Sequence, residues 1–159
     1  MSLIATLATD GYKLGHKNMF PDGTTKVYST WTPRSGRHLP HVKEVVAFGM
    51  QGALKEINQL FQKEFFSRPK EEVIAEYKRH VGAYLFNPNV DASHFEELHD
   101  LGYLPLEVKT LPEGTLVPFR VPMLTIENTD DRFFWLTNYL ETLLSTLMWK
   151  PSTTASIAR

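Results

Sequence analysis

The residues best suited to binding chemistry lie close to the amino terminus. Asp10 and Tyr12 stand two positions apart, and a basic loop further along carries Arg34 and Arg37. The carboxylate of Asp10 can accept hydrogen bonds from an amide or a hydroxyl, and the ring of Tyr12 offers a flat face to an aromatic ligand. The planar guanidinium groups of Arg34 and Arg37 match phosphate oxygens. These residue types indicate binding of an aromatic ligand and of a phosphorylated one.

A purely structural role for the same residues is the alternative. Asp10 is a common type of helix N-cap, and Lys13 would then be a solvated residue of the first turn. Arg34 and Arg37 would then be ordinary exposed residues of a loop that contains glycine and serine. Residue types alone favour this alternative, whereas the order of the motifs around them favours the binding role.

Composition excludes several classes of protein. The chain has 159 residues, of which 42% are hydrophobic and 22% charged, and its net charge is −1. This is typical of one globular domain, and it predicts no general attraction to nucleic acid or to a membrane. The absence of cysteine excludes disulfides and thiolate metal sites and is compatible with a reducing compartment. The amino terminus does not resemble a signal peptide, and polar residues interrupt the apolar stretch 133–149. We therefore expect a cytoplasmic protein.

The periodicity of the first two thirds predicts strands and amphipathic helices. Strands are expected at 26–32 and 42–48, separated by a loop over 33–41. Gly49 should begin a helix with one apolar face. A second helix should begin near Pro69, capped by Ser67 or Arg68, and a third at Ser93, where Glu96 completes a capping box. Gly102 should end this third helix.

The last third predicts a small sheet followed by a long helix. Strands at 104–110, 115–120 and 123–128 suggest an antiparallel meander. A largely buried helix should run from about 132 to 149 and end before Pro151, and 152–159 should begin another helix. We therefore predict an α+β (mixed α/β) fold, with a short-stranded, mostly antiparallel sheet and packed helices. Residues 1–150 would form the domain, and 151–159 would start a further helix of a longer protein.

Sequence blocks in a fixed order extend this interpretation. They are ATDGYK at 8–13 with His16, TKVYS at 25–29 with Arg34, LPLEVK at 104–109, LPEG at 111–114, VP at 117–118, TIENTD at 125–130 and WLTNYLET at 135–142. In this order they resemble the amino-terminal region of the nicotinamide phosphoribosyltransferase family, within the wider group that includes nicotinate phosphoribosyltransferase. The resemblance implies the first part of a type II phosphoribosyltransferase, whose α/β barrel would be largely absent here.

The resemblance also implies a reaction and a site. Nicotinamide and phosphoribosyl pyrophosphate would give nicotinamide mononucleotide and pyrophosphate, with Mg²⁺ and with ATP as a coupled substrate, in a homodimer that forms its sites at the subunit interface. Asp10 would accept from the carboxamide, Tyr12 would lie against the pyridine ring, and Arg34 would contact substrate phosphate. Lys13 and His16 match the family without an assigned role, the register of Arg37 is open, and Gly11 stands where relatives often carry serine.

The remaining titratable residues are assigned no chemistry. No catalytic residue and no metal ligand of the family falls within the matching segment. His38 and His41 share a loop but are too few to hold a metal, and His94 and His99 are expected on the surface of one helix. Glu113 is expected to be structural, as are the two strand residues Glu107 and Glu127. The alternatives to an enzyme for nicotinamide are nicotinate phosphoribosyltransferase, which Asp10 would disfavour by repelling the nicotinate carboxylate, and a non-catalytic interaction module.

Overall fold

The computed structural model describes residues 3–38 and 40–159. Met1, Ser2 and Leu39 lie outside the described residues, so the predicted loop 33–41 is described only in part. The elements follow in chain order: 3₁₀ helices Ala5–Leu7 and Gly11–Met19, β1 Tyr28–Trp31, β2 Glu44–Val46, α1 Met50–Phe61 with a π-helical turn Gln62–Phe66, α2 Lys70–Leu85, α3 Ser93–Leu101, β3 Leu106–Thr110, β4 Leu116–Pro118, β5 Leu124–Asn128, a 3₁₀ helix Asp131–Phe133, α4 Leu136–Tyr139 and α5 Glu141–Ala158. The predicted mixed architecture is confirmed.

The strands form two small antiparallel sheets. In the larger sheet β5 lies between β1 and β3, with Ser29 opposite Ile126 and Val108 on its other side. In the smaller sheet β2 pairs with β4, and Val45 lies opposite Val117. The predicted meander is therefore wrong, because β4 leaves its sequence neighbours and pairs with β2. Local alternation predicts a strand but not its partner, which depends on contacts distant in sequence.

An aromatic cluster packs the helices against one another. Phe65 at the end of the π-helical turn contacts Phe95 of α3, with ring centroids 6.0 Å apart. Phe95 in turn contacts Trp135 at 5.2 Å and Tyr139 at 5.4 Å, both in edge-to-face geometry. Burial of such large rings is the main favourable contribution to folding. The cluster therefore fixes α4, and with it the start of α5, against the middle of the chain.

The last helices differ most from the prediction. The segment expected as one helix over 132–149 consists of a 3₁₀ turn, α4 and α5, with Leu140 between the two α-helices. Pro151 does not end the last helix, since α5 continues to Ala158. Two serine side chains hold its second half to β2: Ser152 Oγ donates to the carbonyl of Val46 at 2.6 Å, and Ser156 Oγ accepts from the Val46 N–H at 2.8 Å. These bonds offset the cost of proline inside a helix.

The predicted helix ends are partly correct. Gly102 adopts a left-handed φ of 81° and ends α3, as expected. The other two predicted caps are wrong. Helix α2 begins after Pro69 without a side-chain cap, and Ser93 is the first helical residue of α3, its N–H bonded to Asp91 Oδ1 at 2.9 Å. Among the described residues, no helix has the length and hydropathy needed to cross a membrane.

Candidate functional site

The amino-terminal motif, ATDGYK at 8–13 with His16, forms hydrogen bonds with the junction of α4 and α5. Thr9 Oγ1 donates to the carbonyl of Tyr139 at 2.8 Å, and the Tyr139 hydroxyl donates to the carbonyl of Thr6 at 2.6 Å. The N–H of Asp10 donates to Thr142 Oγ1 at 3.1 Å, and the same hydroxyl donates to Asp10 Oδ2 at 2.8 Å. The motif is therefore an integral part of the fold, and Asp10 is held at both its backbone and its side chain.

The structural alternative for Asp10 does not describe its contacts. Asp10 occupies the residue before the 3₁₀ helix Gly11–Met19, yet its side chain forms no capping hydrogen bond. Oδ2 is the oxygen that contacts Thr142 and lies 3.9 Å from Lys13 Nζ. Among the described residues we find no hydrogen bond to Oδ1. The Asp10 side chain is 45% exposed and has the Tyr12 hydroxyl nearby, and the carboxylate retains lone pairs that can accept from a ligand.

Lys13 is buried, whereas the structural alternative places it in solvent. Only 1% of its side chain is exposed, and Nζ donates to Glu141 Oε2 at 2.5 Å and to the carbonyl of Asn138 at 3.0 Å. Burial of an ammonium group is costly unless it is paired and hydrogen-bonded, and both conditions are met here. Sequence reasoning noted Lys13 but gave it no role. Its position beside Asp10 and its contacts with α4 and α5 make it the anchor of the motif.

Tyr12 projects away from the core. Its side chain is 64% exposed, and its ring lies 5.2 Å from that of His16, measured between centroids. Lys13 Nζ lies 5.7 Å from the Tyr12 centroid. Desolvation, followed by the negative charges of Asp10 and Glu141 and by hydrogen bonding to the Asp10 carboxylate, raises the pKa of the Tyr12 hydroxyl, which stays neutral near pH 7. An exposed ring beside an available carboxylate oxygen suits a flat ligand that carries an amide.

Arg34 lines a separate cleft of about 800 Å³ between the larger sheet and the α4–α5 junction. The cleft is lined mainly by polar residues of β1, the loop after it and the two helices. These are Ser29, Thr30, Trp31, Thr32, Pro33, Arg34, Arg120, Leu124, Ile126, Thr137, Asn138, Glu141, Leu144 and Ser145. Sequence reasoning missed Arg120, which it placed at the end of a strand. The signal that could have identified it is a second arginine beside the Val121-Pro122 turn.

The structure brings only some of the predicted site residues together. Asp10 and Tyr12 do not line the cleft that contains Arg34. The connection between them is Lys13, whose two partners Asn138 and Glu141 both line the cleft. The motif and the cleft therefore lie on two sides of the same helical junction.

The other candidate residues have no visible binding role. Arg37 and His38 are exposed in the loop after β1. The expectation of surface positions for the two histidines of α3 is wrong. His94 is buried against Trp135, and His99 is partly buried with Nε2 2.9 Å from the Arg68 carbonyl oxygen. In the described ranges 3–38 and 40–159, no group of three or more His, Asp or Glu side chains is positioned to hold a metal.

Comparison with known families assigns the chain to one of them. Residues 4–108 match the family described as "Nicotinamide phosphoribosyltransferase, N-terminal domain". The chain belongs to the nicotinamide phosphoribosyltransferase family. The matched range contains Asp10, Tyr12 and Arg34 and extends into β3. It therefore includes the motif and the part of the cleft formed by β1 and the loop after it.

Individual relatives agree with this assignment. A protein named nicotinamide phosphoribosyltransferase from Acinetobacter baylyi is 46% identical over 156 residues, which cover 95% of this chain and 31% of the relative. One of the same name from Xanthomonas campestris pv. campestris is 31% identical and covers 96% of this chain and 30% of the relative. The chain thus spans about a third of the length of these relatives.

A solved structure supports the fold. The crystal structure of human nicotinic acid phosphoribosyltransferase superposes with a TM-score of 0.66 and 23% identity, over 96% of this chain and 27% of the human one. At this level of identity the likeness concerns the fold. The small sheets and packed helices are therefore an arrangement found within a phosphoribosyltransferase.

Position 11 is closely packed in this structure. Gly11 stands between Asp10 and Tyr12, where the resemblance suggests serine in many relatives. A Cβ at Gly11 would lie 2.4 Å from the hydroxyl oxygen of Tyr84 on α2. A side chain at position 11 would therefore require Tyr84 to move, and the Tyr84 ring occupies the space that the missing side chain leaves.

Proposed function

We propose that this chain forms the amino-terminal region of a nicotinamide phosphoribosyltransferase that acts in the cytoplasm in NAD salvage. In this reaction the pyridine nitrogen of nicotinamide bonds to C1 of the ribosyl group as the bond from C1 to pyrophosphate breaks. The observation that carries the proposal is the environment of Asp10. Thr142 and Lys13 hold one carboxylate oxygen, and the carboxylate stays partly exposed, with lone pairs to accept from a ligand, beside the exposed ring of Tyr12.

Each proposed site residue would bind or orient a substrate. Asp10 would accept a hydrogen bond from the nicotinamide NH₂, and Tyr12 would lie against the pyridine ring. Arg34 would contact phosphate from the edge of its cleft. Nicotinate carries a carboxylate in place of the amide, and Asp10 would repel it. The charge of Asp10 therefore favours the amide substrate.

We further propose that the site is completed by other polypeptide, either the rest of the enzyme or a second copy in a homodimer. Asp10 and Tyr12 do not line the cleft that contains Arg34, so a single chain presents its base-binding and phosphate-binding residues at two separate places. This separation supports a site that is completed by other polypeptide. The described residues do not fit a metal. We therefore assign Mg²⁺ and the coupled use of ATP to the completed enzyme, and we expect residues 1–159 alone to form no nicotinamide mononucleotide.

A chimera tests the proposal directly. The matching segment of the Acinetobacter baylyi relative would be replaced by this chain, and formation of nicotinamide mononucleotide would be measured. In the active chimera, Asp10→Asn should weaken nicotinamide binding about tenfold to a hundredfold, the value of a hydrogen bond to a charged acceptor. It should also reduce discrimination against nicotinate, since it removes a like-charge repulsion. Tyr12→Ala should weaken both bases equally.

The control for this experiment is Asp22→Asn, the same change at an exposed carboxylate in a turn. It should alter neither affinity nor base preference. Asparagine at position 10 can still accept the Thr142 hydrogen bond, so the fold should be retained. If Asp10→Asn leaves the affinity and the base preference unchanged, the role of Asp10 is structural and the proposed site is incorrect. An inactive chimera that folds would favour a non-catalytic module.

A further inference from the structure

Two loops that carry arginines are tied together at the cleft. Arg34 follows β1, and Arg120 lies in the connection between β4 and β5. The N–H of Arg120 donates to the carbonyl of Pro33 at 2.8 Å, and the N–H of Met123 donates to the carbonyl of Trp31 at 2.9 Å. The two connections therefore form one backbone unit, which places both arginines along the same cleft.

The two loops also approach each other closely at Gly36. A Cβ at this glycine would lie 2.7 Å from the carbonyl oxygen of Val42 and 2.9 Å from the ring of Phe119. These distances are too short for a side chain, so the loop after Arg34 can pack against the residue before Arg120 only because position 36 is glycine. The relative placement of the two arginines is fixed by this packing as well as by the Arg120–Pro33 hydrogen bond.

Arg120 has a backbone conformation that glycine would adopt at a lower energetic cost. Its φ is 69°, in the left-handed region, where an L-residue costs about 1–2 kcal/mol relative to glycine. Such outliers cluster at functional sites, where the surrounding structure maintains them. The arginine side chain is therefore present at a position whose backbone alone would favour glycine.

The charge balance of the cleft is positive. Among the residues that line it, Glu141 carries the negative charge, and the buried ammonium of Lys13 pairs with it at 2.5 Å. In the part of the chain that the structure describes, neither Arg34 nor Arg120 forms an ion pair within 4.0 Å. The hydroxyl groups along the cleft contact one another and the helices: that of Ser29 donates to Asn138 Oδ1 at 3.0 Å, and those of Thr30 and Thr32 lie 3.3 Å apart.

We propose that Arg120 binds substrate phosphate together with Arg34, and that the two guanidinium groups form a site for a diphosphate. The inference rests on the proposed function, in which Arg34 alone was assigned to phosphate. A diphosphate has two charged groups in series, so two planar donors on separate loops can each engage one of them. Free pyrophosphate and the pyrophosphate of phosphoribosyl pyrophosphate share this chemistry.

Calorimetric titration of residues 1–159 with inorganic pyrophosphate, in the presence of a chelator, tests the site without turnover. Arg120→Gln should weaken pyrophosphate binding about tenfold or more, and Arg34→Ala by a similar factor. Phosphoribosyl pyrophosphate should show the same losses if the bound group is its pyrophosphate. Arg79→Gln, the same change on the exposed face of α2, is the matched control and should leave binding unchanged.

Arg120→Gly separates the guanidinium from its backbone. Glycine favours the left-handed φ, so this variant should unfold at an equal or higher temperature than the parent while it loses pyrophosphate affinity. Loss of affinity with retained stability would support the proposal. If the parent chain does not bind pyrophosphate, or if Arg120→Gln and Arg120→Gly bind as well as the parent, the proposal is wrong. The chimera assay is independent, so activity there would leave the proposed function standing.

Discussion

Lys13 is the residue whose environment differs most from what its type suggests. Lysine is rarely fully buried, and a lysine two positions after a helix start is usually solvated. Here the side chain passes between the 3₁₀ helix Gly11–Met19 and the α4–α5 junction, and its ammonium is shared by Glu141, the Asn138 carbonyl and, at longer range, Asp10. Lys13 therefore orients the motif that carries Asp10, and its charge neutralises that of Glu141 at the cleft.

The ion pair between Lys13 and Glu141 should respond asymmetrically to mutation. The Lys13 side chain is 1% exposed and that of Glu141 is 61% exposed. Glu141→Ala leaves a buried ammonium with poorer partners and should lower the free energy of unfolding by about 2–4 kcal/mol. Lys13→Met fills the same space with an apolar chain and leaves Glu141 in water, so it should cost only about 1 kcal/mol. Urea unfolding at pH 7 measures both.

The control for this asymmetry is Lys70, which pairs with Asp100 at 2.7 Å with both side chains at least partly exposed. Lys70→Met should change the free energy of unfolding by less than about 1 kcal/mol. A larger loss for Lys13→Met than for Glu141→Ala would contradict the assignment of the ammonium as the costly buried group.

The position of the motif could be predicted from the sequence, whereas the burial and the contacts of its residues could not. The order of the blocks around Asp10, Tyr12 and Arg34 was sufficient to recognise the family. That Lys13 is buried, and that Arg120 lies beside Arg34, depends on contacts more than 80 positions apart in the chain. Residue type and local spacing carry no information about such contacts.

At the scale of elements, the start of α1 depends on a residue from another part of the chain. The carboxylate of Glu113, in the turn between β3 and β4, accepts from the N–H of Gly49 at 2.7 Å and of Gln51 at 3.0 Å. It therefore caps the amino terminus of α1 from outside the helix, where negative charge is favourable. The predicted structural role of Glu113 is confirmed, although its partner was not foreseen.

Gly49 also provides space for α5. Its φ is 88°, and a Cβ would lie 2.5 Å from Cγ of Pro151. Gly102 has a similar φ of 81° but no heavy atom within 4 Å of the corresponding position. Gly102→Ala should therefore show the backbone cost alone, about 1 kcal/mol, and Gly49→Ala should cost at least about 2–3 kcal/mol because the rigid proline ring must move. Thermal or urea unfolding of the two variants would measure the difference. Equal losses in the free energy of unfolding would show that the Pro151 ring moves aside at little cost, contrary to the prediction.

The same contact explains why α5 was predicted incorrectly. Proline inside a helix costs about 3 kcal/mol, so a sequence rule ends the helix before it. In the folded chain the ring of Pro151 packs on Gly49, and the bonds of Ser152 and Ser156 to Val46 hold the following turns. The strands show the same limit, since β4 was located but its pairing with β2 was not. Local patterns predicted the elements, and tertiary contacts determined their ends and partners.

At the scale of the whole molecule, His94 lies where several elements meet. Its ring lies 4.9 Å from that of Trp135 and 6.0 Å from that of Tyr77, measured between centroids, and Nδ1 is buried without a partner among the described residues. Desolvation, followed by the positive charge of Lys17, lowers the pKa of His94 to about 4, and the charge of Asp91 opposes this only weakly. The fold is therefore built around a neutral imidazole.

This arrangement predicts a loss of stability in mild acid. In the unfolded chain the imidazole titrates near 6.5, so between pH 6.5 and about 4 the unfolded state binds the additional proton. The free energy of unfolding should fall by up to about 3 kcal/mol as the pH is lowered across this range, and the contribution of His94 should be constant below it. Carboxylates with a lowered pKa, such as Asp91 and Asp130, add their losses mainly below pH 4.

Urea unfolding of His94→Phe between pH 4 and 7 isolates this effect. Phenylalanine keeps the aromatic contacts and has no titratable nitrogen, so most of the pH dependence in this range should disappear, while stability at pH 7 should change by about 1 kcal/mol or less. His80→Gln, at an exposed position of α2, should retain the slope of the parent chain. If His94→Phe keeps that slope, the folded chain protonates His94 at nearly the same pH as the unfolded chain, and the junction of the elements must then accommodate a charge that the buried, unpartnered Nδ1 gives no means to satisfy.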